Sequence, residues 1–273
     1  MTPTTLLIFA GGGLFAGILA GFLGIGGGTV LVPLLVALGY QPVEAVATSS
    51  LSIVITAISG SVQNWRMGYL RLQQVIGIGF PAVVTAQVGA YLAELFTPYA
   101  LLVAFGLLLL LNIYLVELRK RLSAREKQEL EQAAGETLMQ DTGIKATISR
   151  IITGSTAGVL AGLFGVGGGV IMVPLQILLL GERIKTAIQT SLGVIIITAI
   201  SATIGHAFRG NVLWVEGLLL GTGGLLGAQI STRILPKLSD RIVSLAFRSL
   251  LAILSIYVFW QAWQNYNGVK VEI

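Results

Sequence analysis

Long apolar runs broken by short polar stretches organise the chain. They fall at about residues 4–23, 29–39, 44–63, 72–94 and 99–118, and again at about 146–164, 170–181, 187–208, 213–233 and 242–264. Most hold the roughly 20 apolar residues that a helix needs to cross a bilayer. The second run of each set has only about 11 or 12 residues, about 17 Å of helix against a hydrocarbon core of about 30 Å. The pattern predicts an all-α polytopic membrane protein of five hydrophobic segments taken twice, each set with one half-length or steeply tilted helix. The first run lacks a basic leader and its glycines return later in the chain, so it reads as a mature transmembrane segment and not a signal peptide.

The two sets are copies of one another. Residues 16–35 read AGILAGFLGIGGGTVLVPLL and residues 157–176 read AGVLAGLFGVGGGVIMVPLQ, identical at 12 of 20 positions at an offset of 141. Further on, Ser50-Leu51 matches Ser191-Leu192, Thr56-Ala-Ile-Ser59 matches Thr198-Ala-Ile-Ser201 at an offset of 142, and Ala86-Gln87 matches Ala228-Gln229. The expected organisation is an N-terminal transmembrane repeat over 1–118, a charged solvated linker over 119–145, and a C-terminal transmembrane repeat over 146–273.

Composition changes the picture by exclusion. Hydrophobic residues make up 55% of the chain, charged residues 11%, and the mean hydropathy is +0.87. Soluble domains carry roughly 25% charge, so this chain cannot clothe its apolar mass in polar surface. There is no Cys and a single histidine, His206, which removes thiolate chemistry and disulfides and makes a His-rich metal centre or haem ligation improbable. Asp141 and Asp240 fall in polar connections, so an intramembrane aspartyl or Ser-His-Asp hydrolase has no parts. No catalytic residue, metal or cofactor is expected. The net charge of +5 sits in membrane loops, so nucleic acid is not a partner, and the lipid bilayer is.

The basic residues also set the topology. With an odd net number of crossings per half, one side collects Arg66, Arg71, Arg119, Lys120, Arg121, Arg125, Lys127, Lys145, Arg150, Arg183, Lys185, Arg233, Lys237 and Arg241, against Arg209 and Lys270 on the other, with Arg248 inside a segment. Four net crossings per half give a weaker asymmetry. By the positive-inside rule the expectation is a cytoplasmic linker, both termini outside, and two halves inverted with respect to each other.

Each copy interrupts its apolar hairpin with a glycine run, Gly24-Ile25-Gly26-Gly27-Gly28 and Gly165-Val166-Gly167-Gly168-Gly169, just before the short helix. Lipid cannot satisfy the exposed backbone there, so the run must be buried in protein or line a wet cavity. A half-helix beginning at that point offers unpaired N–H groups and a positive dipole end, which hold an anion without a buried lysine. Close helix packing is the plainer reading of such glycines, and it suits Gly13, Gly17 and Gly21. Two symmetric copies, each followed by a half-length helix, favour a substrate site.

The paired AGxLAG(F/L)(L/F)G(I/V)GGGxxxVPL signature, with a hydroxyl-rich helix after each copy, resembles the TauE/SafE sulfite exporter-like family of membrane permeases over essentially the whole chain. The resemblance implies a bacterial-type plasma membrane location and transport of sulfite, sulfonates or related small sulfur-containing anions.

The third segment and its copy carry the remaining polar chemistry. Thr48, Ser52, Thr56 and Ser59 lie within about an 80° stripe of one helix, and Thr186, Thr190, Thr198 and Ser201 within about 120° of the other. Such hydroxyls often bond their own i−4 carbonyl or a neighbouring helix. Those nearest the glycine runs, Thr48, Ser49 and Ser50 with Gln189, Thr190 and Ser191, are the candidate anion ligands beside the glycines. Asn64 and His206 occupy matching positions, and His206 is the first candidate for proton coupling or gating because its reference pKa lies near neutrality. Gln87 and Gln229, matching amides in apolar helices, are expected to bond between helices whether or not they take part in gating. The reading is a permease for a small anion that works by alternating access, with a proton or sodium ion as coupling partner. An anion channel of the same architecture is the first alternative, and a membrane-embedded enzyme a weaker one.

Overall fold

A computed structural model describes residues 3–114 and 144–271. Most of the expected charged linker lies outside the described residues. The elements are α1 (Pro3–Leu23), α2 (Gly28–Ala37), α3 (Pro42–Arg66), α4 (Leu72–Leu95), α5 (Pro98–Tyr114), α6 (Ile144–Phe164), α7 (Gly169–Leu179), α8 (Ile184–Ala207), α9 (Trp214–Ile234) and α10 (Asp240–Val271), with one 3-10 turn at Leu235–Lys237. Among the described residues no strand occurs, and seven helices are long and apolar enough to cross a membrane; α2, α5 and α7 are shorter. The chain is thus an all-α, multi-pass membrane protein, and the two short segments are half-helices as their length requires.

Local sequence fixes the breaks. Gly27 and Gly168 are the N-caps of α2 and α7, both in the left-handed region with φ of 85° and 78°, a conformation that costs an L-residue roughly 1–2 kcal/mol. Pro33 and Pro174 sit inside these half-helices, where they cannot donate to the carbonyls of Thr29 and Val170 one turn earlier. The start of α3 carries Pro42 in its first turn and a capping box, in which the Gln41 N–H donates to Glu44 Oε2 at 3.1 Å.

Lipid tails are as apolar as leucine, so helices here associate by close packing of small residues. A Cβ on Gly13 or Gly17 of α1 would fall into the carbonyl of Leu220 or Gly224 of α9, while Gly154, Gly158 and Gly162 of α6 lie just as tightly on Ile78, Ala82 and Ala86 of α4. Residue numbers rise together in both pairs, so each pair is parallel. The same holds for α3 on α9, where Leu51, Ile55 and Thr56 meet Gly217, Gly221 and Gly224, and for α8 on α4, where Gly193 meets Val75, Ile197 meets Gly79 and Gly205 meets Gln87. The result is two equivalent layers, α1–α9–α3 and α6–α4–α8, each drawing helices from both halves of the sequence. They meet where α3 and α8 cross, through Ile53, Ala57, Leu192, Ile195 and Ala199. Other large apolar side chains point outward: Phe80 is 80% and Phe208 88% exposed, as befits a surface solvated by lipid and not by water.

Candidate functional site

The two glycine loops meet at the crossing of α3 and α8. Gly24, Gly26 and Gly27 have φ of 67°, 75° and 85°, and Gly165, Gly167 and Gly168 have 62°, 69° and 78°, so both loops wind through the same left-handed path that only glycine takes freely. They lie against each other in opposite senses. A Cβ on Gly28 would enter the Gly165 carbonyl, and one on Gly169 the Gly24 carbonyl. Ile53 and Ile195 close over both Gly26 and Gly167. All of these loop residues are buried.

Each loop is tied to the opposite half by one serine. Ser191 Oγ donates to the Gly24 carbonyl at 2.8 Å, and Ser49 Oγ donates to the Gly165 carbonyl. The structure therefore corrects the pairing read from the letters: Ser191 corresponds to Ser49, at an offset of 142, and not to Ser50, whose hydroxyl bonds the Val46 carbonyl of its own helix. The shift has a local cause. The chain beyond α2 turns back with the Tyr40 N–H on the Leu35 carbonyl, while beyond α7 the Glu182 N–H bonds the Gln176 carbonyl. The second copy thus holds one extra residue in its half-helix, α7 having 11 residues and α2 having 10.

The other candidates divide by what their polar atoms already do. Thr48 Oγ1 accepts the Leu213 N–H at 3.1 Å, at the start of α9. Thr198 Oγ1 donates to the Gly167 carbonyl at 2.8 Å, and Thr56 Oγ1 to the Ser52 carbonyl of its own helix. Gln189 is buried near the start of α8. Gln87 Nε2 donates to the Ser201 carbonyl and Gln229 Nε2 to the Ser59 carbonyl, at 2.6 and 3.0 Å, while the two serine hydroxyls return to Val83 and Leu225. These amides are repeat-related links between helices.

Six buried hydroxyls remain without a partner among the described residues, those of Thr29, Ser52, Ser61, Thr153, Thr190 and Thr203; Thr29, Ser52 and Thr190 belong to the half-helix and the polar helix segments nearest the glycine runs in sequence. Thr29 is the second residue of α2, directly after the glycine run, where the helix exposes its unpaired N–H groups. Sequence reasoning passed over it because its counterpart in the second copy is Val170; the signal was its position after the glycines, not the repeat. Asn64 is fully buried, with neither amide atom partnered among the described residues. His206 Nε2 lies 2.8 Å from the Gly162 carbonyl and its Nδ1 has no partner among the described residues, so the carbonyl fixes a proton on Nε2. Asn64 and His206 are in helices α3 and α8 well beyond the glycine loops in sequence, and neither touches them in any contact described above.

The electrostatics of the loops are those of backbone. Among the described buried residues the ionisable side chains are Glu182 and His206, and neither is a lysine or arginine. Positive potential at the loops must come from the N–H groups and dipoles of α2 and α7.

Comparison with known proteins places this arrangement. The chain is 28% identical over 262 residues to the probable membrane transporter protein YunE of Bacillus subtilis, covering 91% of this chain and 95% of that protein. It is 26% identical over 269 residues to a probable membrane transporter protein of Xylella fastidiosa, covering 97% and 99%. It is 25% identical over 265 residues to the probable membrane transporter protein MJ0441 of Methanocaldococcus jannaschii, covering 90% and 92%. The family described as sulfite exporter TauE/SafE matches residues 9–258, a span that takes in both glycine loops and both layers, and the chain belongs to that family of multi-pass membrane proteins.

Proposed function

We propose that the protein is a secondary transporter of small anions, with sulfite, organosulfonates and related sulfur oxyanions as the substrate class, and that it works by alternating access between inverted halves. The observation that carries this reading is the pair of buried glycine loops, each ending in a left-handed N-cap and a half-helix, held face to face. Donors of that kind suit a tetrahedral or pyramidal oxyanion, whose several oxygens accept hydrogen bonds from backbone N–H groups and hydroxyls without a counter-charge. Thr29, Ser52 and Thr190 supply the spare hydroxyls.

Inversion is supported by the packing. Within each layer the helices are parallel, and α3 of one layer passes to α4 of the other through only Met67–Arg71. A connection that short between two spanning helices reverses the chain, which sets the layers, and with them α1 and α6, in opposite directions. The basic asymmetry of the loops points to the same arrangement. The burial of both loops favours a carrier caught closed over a channel, whose conducting site would be wet. A proton or sodium ion is the coupling partner in this reading, with His206 and Asn64 as the positions to examine.

The test is a thermal-shift screen of the purified protein against sulfite, sulfate, thiosulfate, taurine and sulfoacetate. At a ligand concentration of about 100 times Kd, binding stabilises by about 2.7 kcal/mol. A shift with one or more of these anions and none with matched chloride is expected, and no shift with any of them would remove the substrate class.

A further inference from the structure

The two half-helix loops make a second set of repeat-related contacts that the anion site does not use. Tyr40, in the turn between α2 and α3, donates its hydroxyl to Glu216 Oε1 in the first turn of α9 at 3.5 Å. Glu182, in the turn between α7 and α8, accepts from Gln74 Nε2 in the first turn of α4, and its Oε1 lies 3.7 Å from Arg71 Nη1. Tyr40 and Glu182 differ by 142 in number, as do Gln74 and Glu216, so these are the same contact made twice with donor and acceptor exchanged. In each case the turn after one half's half-helix is fastened to the fourth helix of the other half.

The two contacts sit at opposite ends of the molecule. Tyr40 precedes α3, whereas Gln74 follows the end of α3 by one short turn, and α3 has 25 residues, about 37 Å of helix. Behind each contact lies one glycine loop. Val46 packs on Gly165 at the Tyr40 end, and its counterpart Ile188 packs on Gly24 at the Glu182 end. Both are fully buried. Since each contact joins elements of opposite halves, relative motion of the halves cannot expose the loop behind it without breaking it.

We propose that Tyr40–Glu216 and Glu182–Gln74–Arg71 are the two gates of the transport cycle, one at each face, both closed in this structure. This rests on the alternating-access reading. The ends are not equal: the Glu182 end has a buried carboxylate with two donors, and the Tyr40 end a single long hydrogen bond from a half-buried hydroxyl. Burial, together with the Glu216 and Glu44 carboxylates, moves the Tyr40 hydroxyl up from its ordinary pKa, so it remains a donor at neutral pH. The Tyr40 face is therefore the one that opens more readily at rest.

The chain contains no cysteine, so single reporters can be read without background. Val46→Cys and Ile188→Cys are each labelled with a membrane-impermeant maleimide in the full-length protein, in right-side-out and inside-out vesicles. Glu182→Ala is expected to raise labelling of the Ile188→Cys reporter about tenfold and Tyr40→Phe that of the Val46→Cys reporter about twofold, the equivalents of a short charged and a weak long hydrogen bond. Each variant should leave the other reporter unchanged or less labelled. Gln74→Met, which keeps the carboxylate and its Arg71 pair, should raise labelling of the same Ile188→Cys reporter by less than Glu182→Ala does. Equal gains at both reporters, or none at either, would overturn the assignment. Labelling needs no substrate, so the gates can fail while the anion reading stands, and the thermal-shift screen can fail while the gates stand.

Discussion

Thr29 shows how much one side chain decides at this site. It is buried, its hydroxyl has no partner among the described residues, and it stands where the unpaired N–H groups of α2 begin. Valine is nearly its isostere and already occupies the matching position as Val170, so Thr29→Val should fold normally. Losing one hydrogen bond to a charged ligand costs about 1.5 kcal/mol or more, and we expect anion affinity to fall by about tenfold with the unliganded melting temperature unchanged or raised, as read by titration calorimetry and thermal melting. Ser191→Ala behaves in the opposite way. Its hydroxyl holds the Gly24 carbonyl from across the interface, so the loss appears as about 1–2 kcal/mol of stability; an unaltered melting temperature would mean that the serine does not tie the loops together. Asn64→Leu is the third case. A buried amide with neither atom bonded is a cost unless something binds it, so the variant should be at least as stable as the wild type while losing flux, and full flux would relegate Asn64 to packing. Of these residues, Asn64 and the serines were legible in the sequence by matching the two copies. Thr29 was not, because the repeat conceals a polar residue whose counterpart is apolar.

At the scale of elements, the half-helices were legible from length alone. An apolar run of 11 or 12 residues between longer ones cannot span, and the glycine signature marks where each begins. The letters show the offset changing from 141 to 142 by Thr56 but not where it changes: the extra residue lies in α7, with 11 residues against 10 in α2, so Ser50 and Ser191 align by identity while Ser49 and Ser191 align in space. The partner of each glycine was equally hidden: Gly13 and Gly17 announce a close approach, but only the fold brings α9 against them. The N-caps give a clear expectation. Gly168 has a φ of +78°, and a Cβ there would enter the Ala157 carbonyl, while at Gly27 it would stand 3.0 Å from the Ala16 carbonyl. Gly168→Ala should therefore cost more than the roughly 1–2 kcal/mol of a left-handed L-residue, and more than Gly27→Ala. Thermal melting of the two variants measures this directly, and equal costs would contradict the packing described here.

For the whole molecule, the consequence of interleaved layers is that neither half has a core of its own. The α1 face finds its partner in α9 and the α6 face in α4, so cutting the chain within the 119–145 linker should leave two fragments that co-purify when expressed together and fail to accumulate when expressed apart. The sequence announces two copies but reads as two consecutive units; only the exchange of helices between layers shows that they form one body. That exchange also places both glycine loops at a single point, which is the central claim: one anion site, shared by the two halves. Counterflow of labelled sulfite or sulfonate into proteoliposomes tests it most directly, comparing wild type, Thr29→Val on α2 of the first half and Thr190→Val on α8 of the second half, each at equal insertion. A shared site predicts that either substitution alone weakens counterflow, and that the double variant loses it almost entirely. Wild-type counterflow in the double variant, or an effect confined to one half, would contradict it.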